Sequence, residues 1–342
     1  MPRPRIGTRT IKEGKMTAVS PGVDAVPLRD VRSSRRGDRA FSGLTLAAGG
    51  LVFVLLGAIA VFLVVKALPA LQHDKSSFWT TKVWEPDSTG RFGVASLVFG
   101  TVLSSMLALL MAVPVALGVA VYTVEYAPHR IGRFLSYLTD MLAAVPSVVY
   151  GLWGLFFLLP HLIGTQTFLN HWLGWIPLFA GTHGDVDTFS KSVFAASVIL
   201  AIMILPIVAA ISREVIRQVD PAQKEAALAL GATRWEMLRT AVFPPSRPGI
   251  VSAVMLGLGR ALGETIAVAL VIRNTFDISA KVLTPGGNTI AANIANRFGE
   301  AGSLGRSALI ASGLVLFVIT LLVNLIARYV IYRSGTAERS AV

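Results

Sequence analysis

The chain has 342 residues, 54% hydrophobic and only 15% charged, where a soluble domain carries about 25%. It holds no cysteine, which excludes disulfides, thiol catalysis and zinc–thiolate sites. The net charge of +12 is compatible with nucleic-acid binding only until the charges are placed along the chain. The apolar residues are gathered in long charge-free runs, so the fold class expected is an all-α polytopic membrane protein.

Residues 1–40 are hydrophilic, carry ten Lys and Arg and have no apolar core of signal-peptide length. They read as a disordered basic tail. Six segments are then apolar for about the 20 residues a helix needs to cross the hydrocarbon, and they fall at roughly 43–67, 94–123, 134–159, 192–212, 248–272 and 307–328. The stretch 160–184 is also free of Asp, Glu, Lys and Arg, but Pro160, His161, Asn170, His171 and Pro177 give it the character of a loop. Trp172 and Trp175 suit a position on the membrane surface, and a seventh crossing is the other reading. Pro114, Pro146 and Pro206 lie inside spans and favour kinks. Residues 335–342 are expected to form a short tail after the membrane region 41–334.

Lys and Arg set the orientation. The tail 1–40, the loops 124–133 and 213–247 and the end of the chain from 328 to 342 together carry 21, while the connections on the opposite side carry eight. Both termini are therefore expected in the cytoplasm. The same asymmetry accounts for the positive charge with no nucleic acid as partner; the partner it implies is the lipid bilayer.

The loop 213–247 has the most explicit local signals. Asp220 suits an N-cap, with Pro221 at the first helical position and Gln223 at the third. Good helix formers run to Leu230, and Gly231 suits the left-handed position that ends a helix. Thr233 and Glu236 form a capping box for a second helix, on which Trp235, Leu238, Ala241 and Val242 share a face. Pro244 and Pro245 are expected to stop it. The apolar stripe around Trp235 covers either the chain's own helices or a groove on a partner.

This loop resembles the "EAA" loop of ABC importer permeases, Glu-Ala-Ala-x3-Gly-x9-Ile-x-Leu-Pro. Glu225, Ala226, Ala227, Gly231 and Pro244 match it, and Ala241 and Phe243 depart from it while staying apolar. The resemblance implies a type I importer permease fold and a loop, with Trp235 and Leu238 on it, that seats on a separate ATPase subunit. No Gly-x4-Gly-Lys-Ser/Thr string occurs, so the chain is not expected to bind ATP through a P-loop.

In the fifth span Arg260 lies 12 residues from position 248, about 18 Å along a helix and near mid-membrane. A charge at that depth costs about 3 kcal/mol and belongs against a bundle interior or a wet cavity. Glu264 is four residues on and shares its face, while Gly259 and Gly263 form an adjacent stripe that permits close helix packing. Either Arg260 and Glu264 neutralise one another and fasten helices, or Arg260 offers a guanidinium to a translocating oxyanion and Glu264 holds the arginine or repels the anion.

The string from Gly257 through Leu258, Gly259, Arg260, Ala261, Leu262 and Gly263 to Glu264 and Thr265 resembles the signature of phosphate-specific (Pst) permeases. The segment from Leu142 through Pro146, Ser147, Tyr150 and Gly151 to Trp153 and Gly154 is similar to their PstC-type subunit. The resemblance covers about residues 43–332. It implies a transporter subunit rather than an enzyme, residing in a bacterial inner membrane. Arg260, Glu264 and Thr265 would lie on the substrate path. Its partners would be a homologous PstA-type permease subunit, two PstB-type ATPase subunits and an extracytoplasmic PstS-type phosphate-binding protein. Permeation of another oxyanion such as sulfate or molybdate, or a carrier or scaffold outside the ABC class, are the alternatives. Histidines 73, 129, 161, 171 and 183 have no ligand-like spacing, so neither a metal nor a cofactor is expected.

Overall fold

In a computed structural model, residues 35–181 and 191–339 are described. Residues 1–34, most of the expected tail, lie outside them. The chain divides into two compact units, Met1–Leu56 and Gly57–Val342. The described part of the first is the beginning of helix α1 (Arg35–His73), whose Leu51, Phe53 and Val54 are exposed apolar side chains. The helix starts eight residues before the expected span.

The second unit continues α1 and adds a short hairpin, β1 (Trp84–Glu85) and β2 (Arg91–Phe92), followed by α2 (Ala95–Val121) and a π turn, Tyr122–Tyr126. Next come α3 (His129–Ala143), α4 (Ser147–Trp153), a π turn at Gly154–Leu158, and α5 (Leu159–Leu173). Then follow α6 (Val193–Arg217), α7 (Pro221–Ala229), α8 (Arg234–Met237), a third π turn at Leu238–Val242, and α9 (Phe243–Gly263). The chain ends with α10 (Ile266–Val271), α11 (Ile290–Arg297) and α12 (Ser303–Arg339), which carries helix past position 334 into the expected C-terminal tail.

Five described helical stretches are long and apolar enough to cross a membrane: Arg39–His73, Ala95–Tyr126, Ser147–Leu173, Val193–Arg217 and Ser303–Tyr329. The third corrects the expected span 134–159. Pro146 does not kink a helix there. It separates α3 from α4, taking an extended backbone at the N-cap of α4. The helix then runs through 160–173, which was expected to be loop. Polar side chains turn back onto the helix itself: His161 Nδ1 lies 2.7 Å from Phe157 O, and Thr167 donates to Ile163 O at 2.9 Å. Asn170 accepts from Gly181 N at 2.8 Å.

The expected span 248–272 is broken as well. The α9 helix stops at Gly263, Glu264 takes an extended backbone, and α10 begins at Ile266. Nor do Pro244 and Pro245 stop the second helix of the 213–247 loop, because helix continues from Arg234 to Gly263 through the third π turn. A proline removes an N–H donor, and the wider π spacing just before the pair re-routes the ladder, with Phe243 N donating to Leu238 O.

The core of this unit is α6, buried along most of its length and packed on α2, α9 and α3. Gly249, Ala253, Gly257 and Ala261 recur every four residues and form one stripe of α9. A Cβ on Gly249 would come within 2.6 Å of Val215, and one on Gly257 within 2.8 Å of Val208, both on α6. The expected packing stripe, Gly259 and Gly263, is not used within this chain: a Cβ at either would meet nothing within 4 Å. Gly257→Leu is therefore expected to lower the thermal unfolding temperature of the detergent-solubilised protein, as overpacking costs about 1–3 kcal/mol. Gly259→Ala leaves it unchanged or raises it, because alanine is the better helix former by about 1 kcal/mol.

Candidate functional site

The two regions singled out in the sequence lie on one continuous helical rod, residues 234–263. At its start is the segment 220–247 that resembles the EAA loop. Asp220 accepts from Ala222 N at 2.9 Å and caps α7, with Pro221 at its first position. Gly231 takes φ +85°, and the bonds Gly231 N to Leu228 O (3.0 Å) and Ala232 N to Ala227 O (3.1 Å) complete a Schellman end. Thr233 and Glu236 make the expected capping box.

The segment rests on the ends of α2 and α6 through Met237, Leu238 and Val242, which pack with Ala120, Ile216 and Val219. Leu238 is 1% exposed, so it belongs to this internal contact and not to the free stripe expected of it. Trp235 is 60% exposed and Leu230 90%. Glu225 and Ala226 are exposed, Ala227 half-buried, and Pro244 half-buried. The face left open therefore joins Glu225, Ala226, Leu230 and Trp235.

Two ion pairs brace this end, and both were missed in the sequence. Lys224 Nζ lies 2.6 Å from Glu125 Oε1, with only 17% and 11% of the side chains exposed. It ties α7 to the π turn after α2. Arg213 bonds Asp140 and Thr139, each at 2.8 Å, and holds α3 to α6. The partners are 99 and 73 residues apart, so no local pattern announces them.

At the far end of the rod, Arg260 faces an open cavity of about 770 Å³. Its walls come from α9 (Ser252, Met255, Leu256 and Gly259), from Ala143 of α3 and Ile207 of α6, and from Asn324, Ala327 and Arg328 of α12. Among the described residues no Asp or Glu lines it, and Arg260 Nε is buried without a hydrogen-bond partner. The expected Arg260–Glu264 ion pair is not made among the described residues. The i,i+4 argument assumed an unbroken helix, and the break at Gly263 turns Glu264 away to accept from Ala267 N at 3.2 Å, where it caps α10. Glu264 is 9% exposed, and the Thr265 hydroxyl donates to Gly263 O at 3.1 Å. Of the three residues expected on the substrate path, the cavity takes Arg260 alone, and it adds Arg328 and Asn324.

Residues 112–334 match the family described as binding-protein-dependent transport system inner membrane component. The chain belongs to that family. It is a multi-pass membrane permease, and its relatives carry the names of transport permeases. It is 46% identical over 303 residues to "Phosphate transport system permease protein PstC 2" of Mycobacterium tuberculosis, covering 87% of this chain and 93% of the relative. It is 42% identical over 327 residues to the protein named PstC of Mesorhizobium japonicum, covering 93% and 98%. Among solved structures, a bacterial ABC transporter involved in import of the acidic polysaccharide alginate aligns with TM-score 0.51 and 20% identity over 85% of this chain and 99% of that one. That likeness shows the ABC importer permease fold.

Glu236 provides a pH handle on the coupling segment of this permease. The Thr233 backbone N–H, then its hydroxyl, hold the carboxyl below its ordinary value of 4.5. A carboxyl depressed by folding stabilises above its ordinary value and loses that contribution as pH falls through the lower, folded value. Amide exchange at Glu236, read by mass spectrometry after timed labelling, is therefore expected to be slow above pH 4.5 once corrected for intrinsic rate. It should accelerate below that pH, and Glu236→Gln should flatten the dependence.

Proposed function

We propose that this permease forms half of the translocation path of an ATP-driven importer of inorganic phosphate in a bacterial inner membrane. The observation that carries the reading is the unpaired Arg260 guanidinium, held in a carboxylate-free cavity on the same helical rod as the coupling segment. A guanidinium in a partly desolvated wall suits a tetrahedral oxyanion, to which it offers paired donors. The names of the relatives support phosphate as that oxyanion.

In this reading α9 with α10 completes a sixth crossing, both termini are cytoplasmic, and the exposed Glu225–Trp235 face seats on an ATPase. The assembly contains a homologous PstA-type subunit, two PstB-type ATPases and an external PstS-type binding protein. Gly259 and Gly263, open within this chain, leave room for the homologous subunit across the path. Closure of the ATPase pair pushes on Trp235 and Leu230, and the rod carries that displacement to Arg260. Glu264 caps α10 and thereby fixes where the rod ends, beside the substrate and not bonded to the arginine.

Labelled phosphate uptake in phosphate-starved cells lacking their own permease, complemented with this chain and its cognate subunits, tests the reading. Arg260→Gln is expected to cut uptake about 10- to 100-fold, the loss of one hydrogen bond to a charged group, at unchanged expression and assembly. Glu264→Gln keeps an acceptor for Ala267 N and is expected to reduce uptake less. Failure of an assembled wild-type complex to take up phosphate, with uptake of sulfate or molybdate instead, would assign another oxyanion. Trp235→Ala is expected to weaken co-purification of the ATPase by about 30-fold in affinity, as for a buried aromatic anchor.

A further inference from the structure

The cavity that holds Arg260 contains a second cation that the proposed path does not use. Arg328 and Asn324 are one helical turn apart on α12 and line the same space. Neither makes a hydrogen bond or ion pair with any described residue; both are exposed, and Ala327 between them is buried. A lone arginine near the end of an apolar helix is ordinarily an orientation signal that reaches outward. Arg328 also lines the open cavity with Arg260, Ser252 and Asn324, so among the described residues the lining brings together two arginines, an asparagine and a serine with no Asp or Glu. Two such cations facing one space repel, and an anion between or beside them relieves that repulsion.

Resting on the phosphate-import reading above, we propose that Arg328 and Asn324 form a second oxyanion station, one that takes phosphate from Arg260 on the way toward the C-terminal end of α12. Arg328 supplies planar paired donors to two oxygens, and the Asn324 amide donates to a third. Two moderate stations let an anion be held without being trapped, since the approach to one weakens its hold at the other. The same chemistry is found in free phosphate and in the headgroup of an anionic lipid.

The absence of cysteine permits a clean reporter in this cavity. Ser252→Cys is placed in the full chain, assembled with its cognate subunits in liposomes of neutral lipid, and converted to mixed disulfides with anionic and cationic methanethiosulfonates of equal size, methanesulfinate leaving. The proposal expects the anionic reagent to be favoured. Adding Arg328→Gln should lower that preference about tenfold, the effect of one charge felt at roughly 6 Å through water by reagents of opposite sign. Inorganic phosphate should protect the cysteine, and Arg328→Gln or Asn324→Ala should weaken the protection while Arg328→Lys partly restores it. Unchanged reagent preference and protection in Arg328→Gln would overturn the station. So would protection that requires anionic lipid and is indifferent to phosphate, which would make the site a headgroup pocket. Protection by sulfate and not phosphate, lost in Arg328→Gln, would keep the second station and reject phosphate as its substrate.

Discussion

The close approach of α9 to α6 decides what the remaining faces of α9 can do. Gly249, Ala253, Gly257 and Ala261 sit on one side of α9, and the first and third lie against Val215 and Val208 with no room for a larger side chain. Once that stripe is fixed, Ser252, Leu256 and Arg260 fall on the face beside it, and with Gly259 they line the cavity next to Ile207 of α6. An arginine in an apolar helix is costly, and this packing denies it a carboxylate partner while leaving it an open space. The chemistry of the site thus follows from where glycine permits contact.

The second dependence runs along the rod. Pro244 and Pro245, ten residues into the rod, would ordinarily decouple the segment carrying Trp235 from the one carrying Arg260. The π turn at Leu238–Val242 absorbs their missing donors and preserves helix from Arg234 to Gly263. The near end is also anchored sideways, by Lys224 on Glu125 and by Leu238 and Val242 among the ends of α2 and α6. A push on the exposed Trp235 face therefore reaches both the rod and α2. Mostly buried, the Lys224–Glu125 pair favours one arrangement of α7 over others, since separating its charges leaves each of them poorly solvated.

Local signals were the legible ones. The Asp220 cap, the Schellman glycine at 231 and the Thr233–Glu236 capping box each depend on a few adjacent residues, and all three are present. The membrane class and the charge-free cores of most spans were equally plain. What failed required knowledge of tertiary partners or of backbone breaks. The polar residues of 160–173 looked like loop because the sequence does not show His161 and Thr167 turning back onto their own helix. The Arg260–Glu264 pair rested on unbroken i,i+4 geometry, which ends at Gly263. Gly259 and Gly263 were chosen for packing over Gly249 and Gly257, although the four-residue spacing of small residues from 249 to 261 was there to be read. Arg328 was counted only as a cytoplasmic charge, since nothing in α12 itself shows that it shares a cavity with α9.

The central claim is that the segment carrying Trp235 and the helix carrying Arg260 move as one rigid body. Arg234 and Leu256 are both exposed and flank the π turn and the proline pair, 22 residues apart. Spin labels at these two positions of the assembled complex should lie about 33 Å apart by helical rise. Pulsed electron–electron resonance is expected to give the same distance, within about 2 Å, in nucleotide-free and ATP-bound states. A change of about 5 Å, a full helical turn, would place a hinge at the π turn and contradict the account.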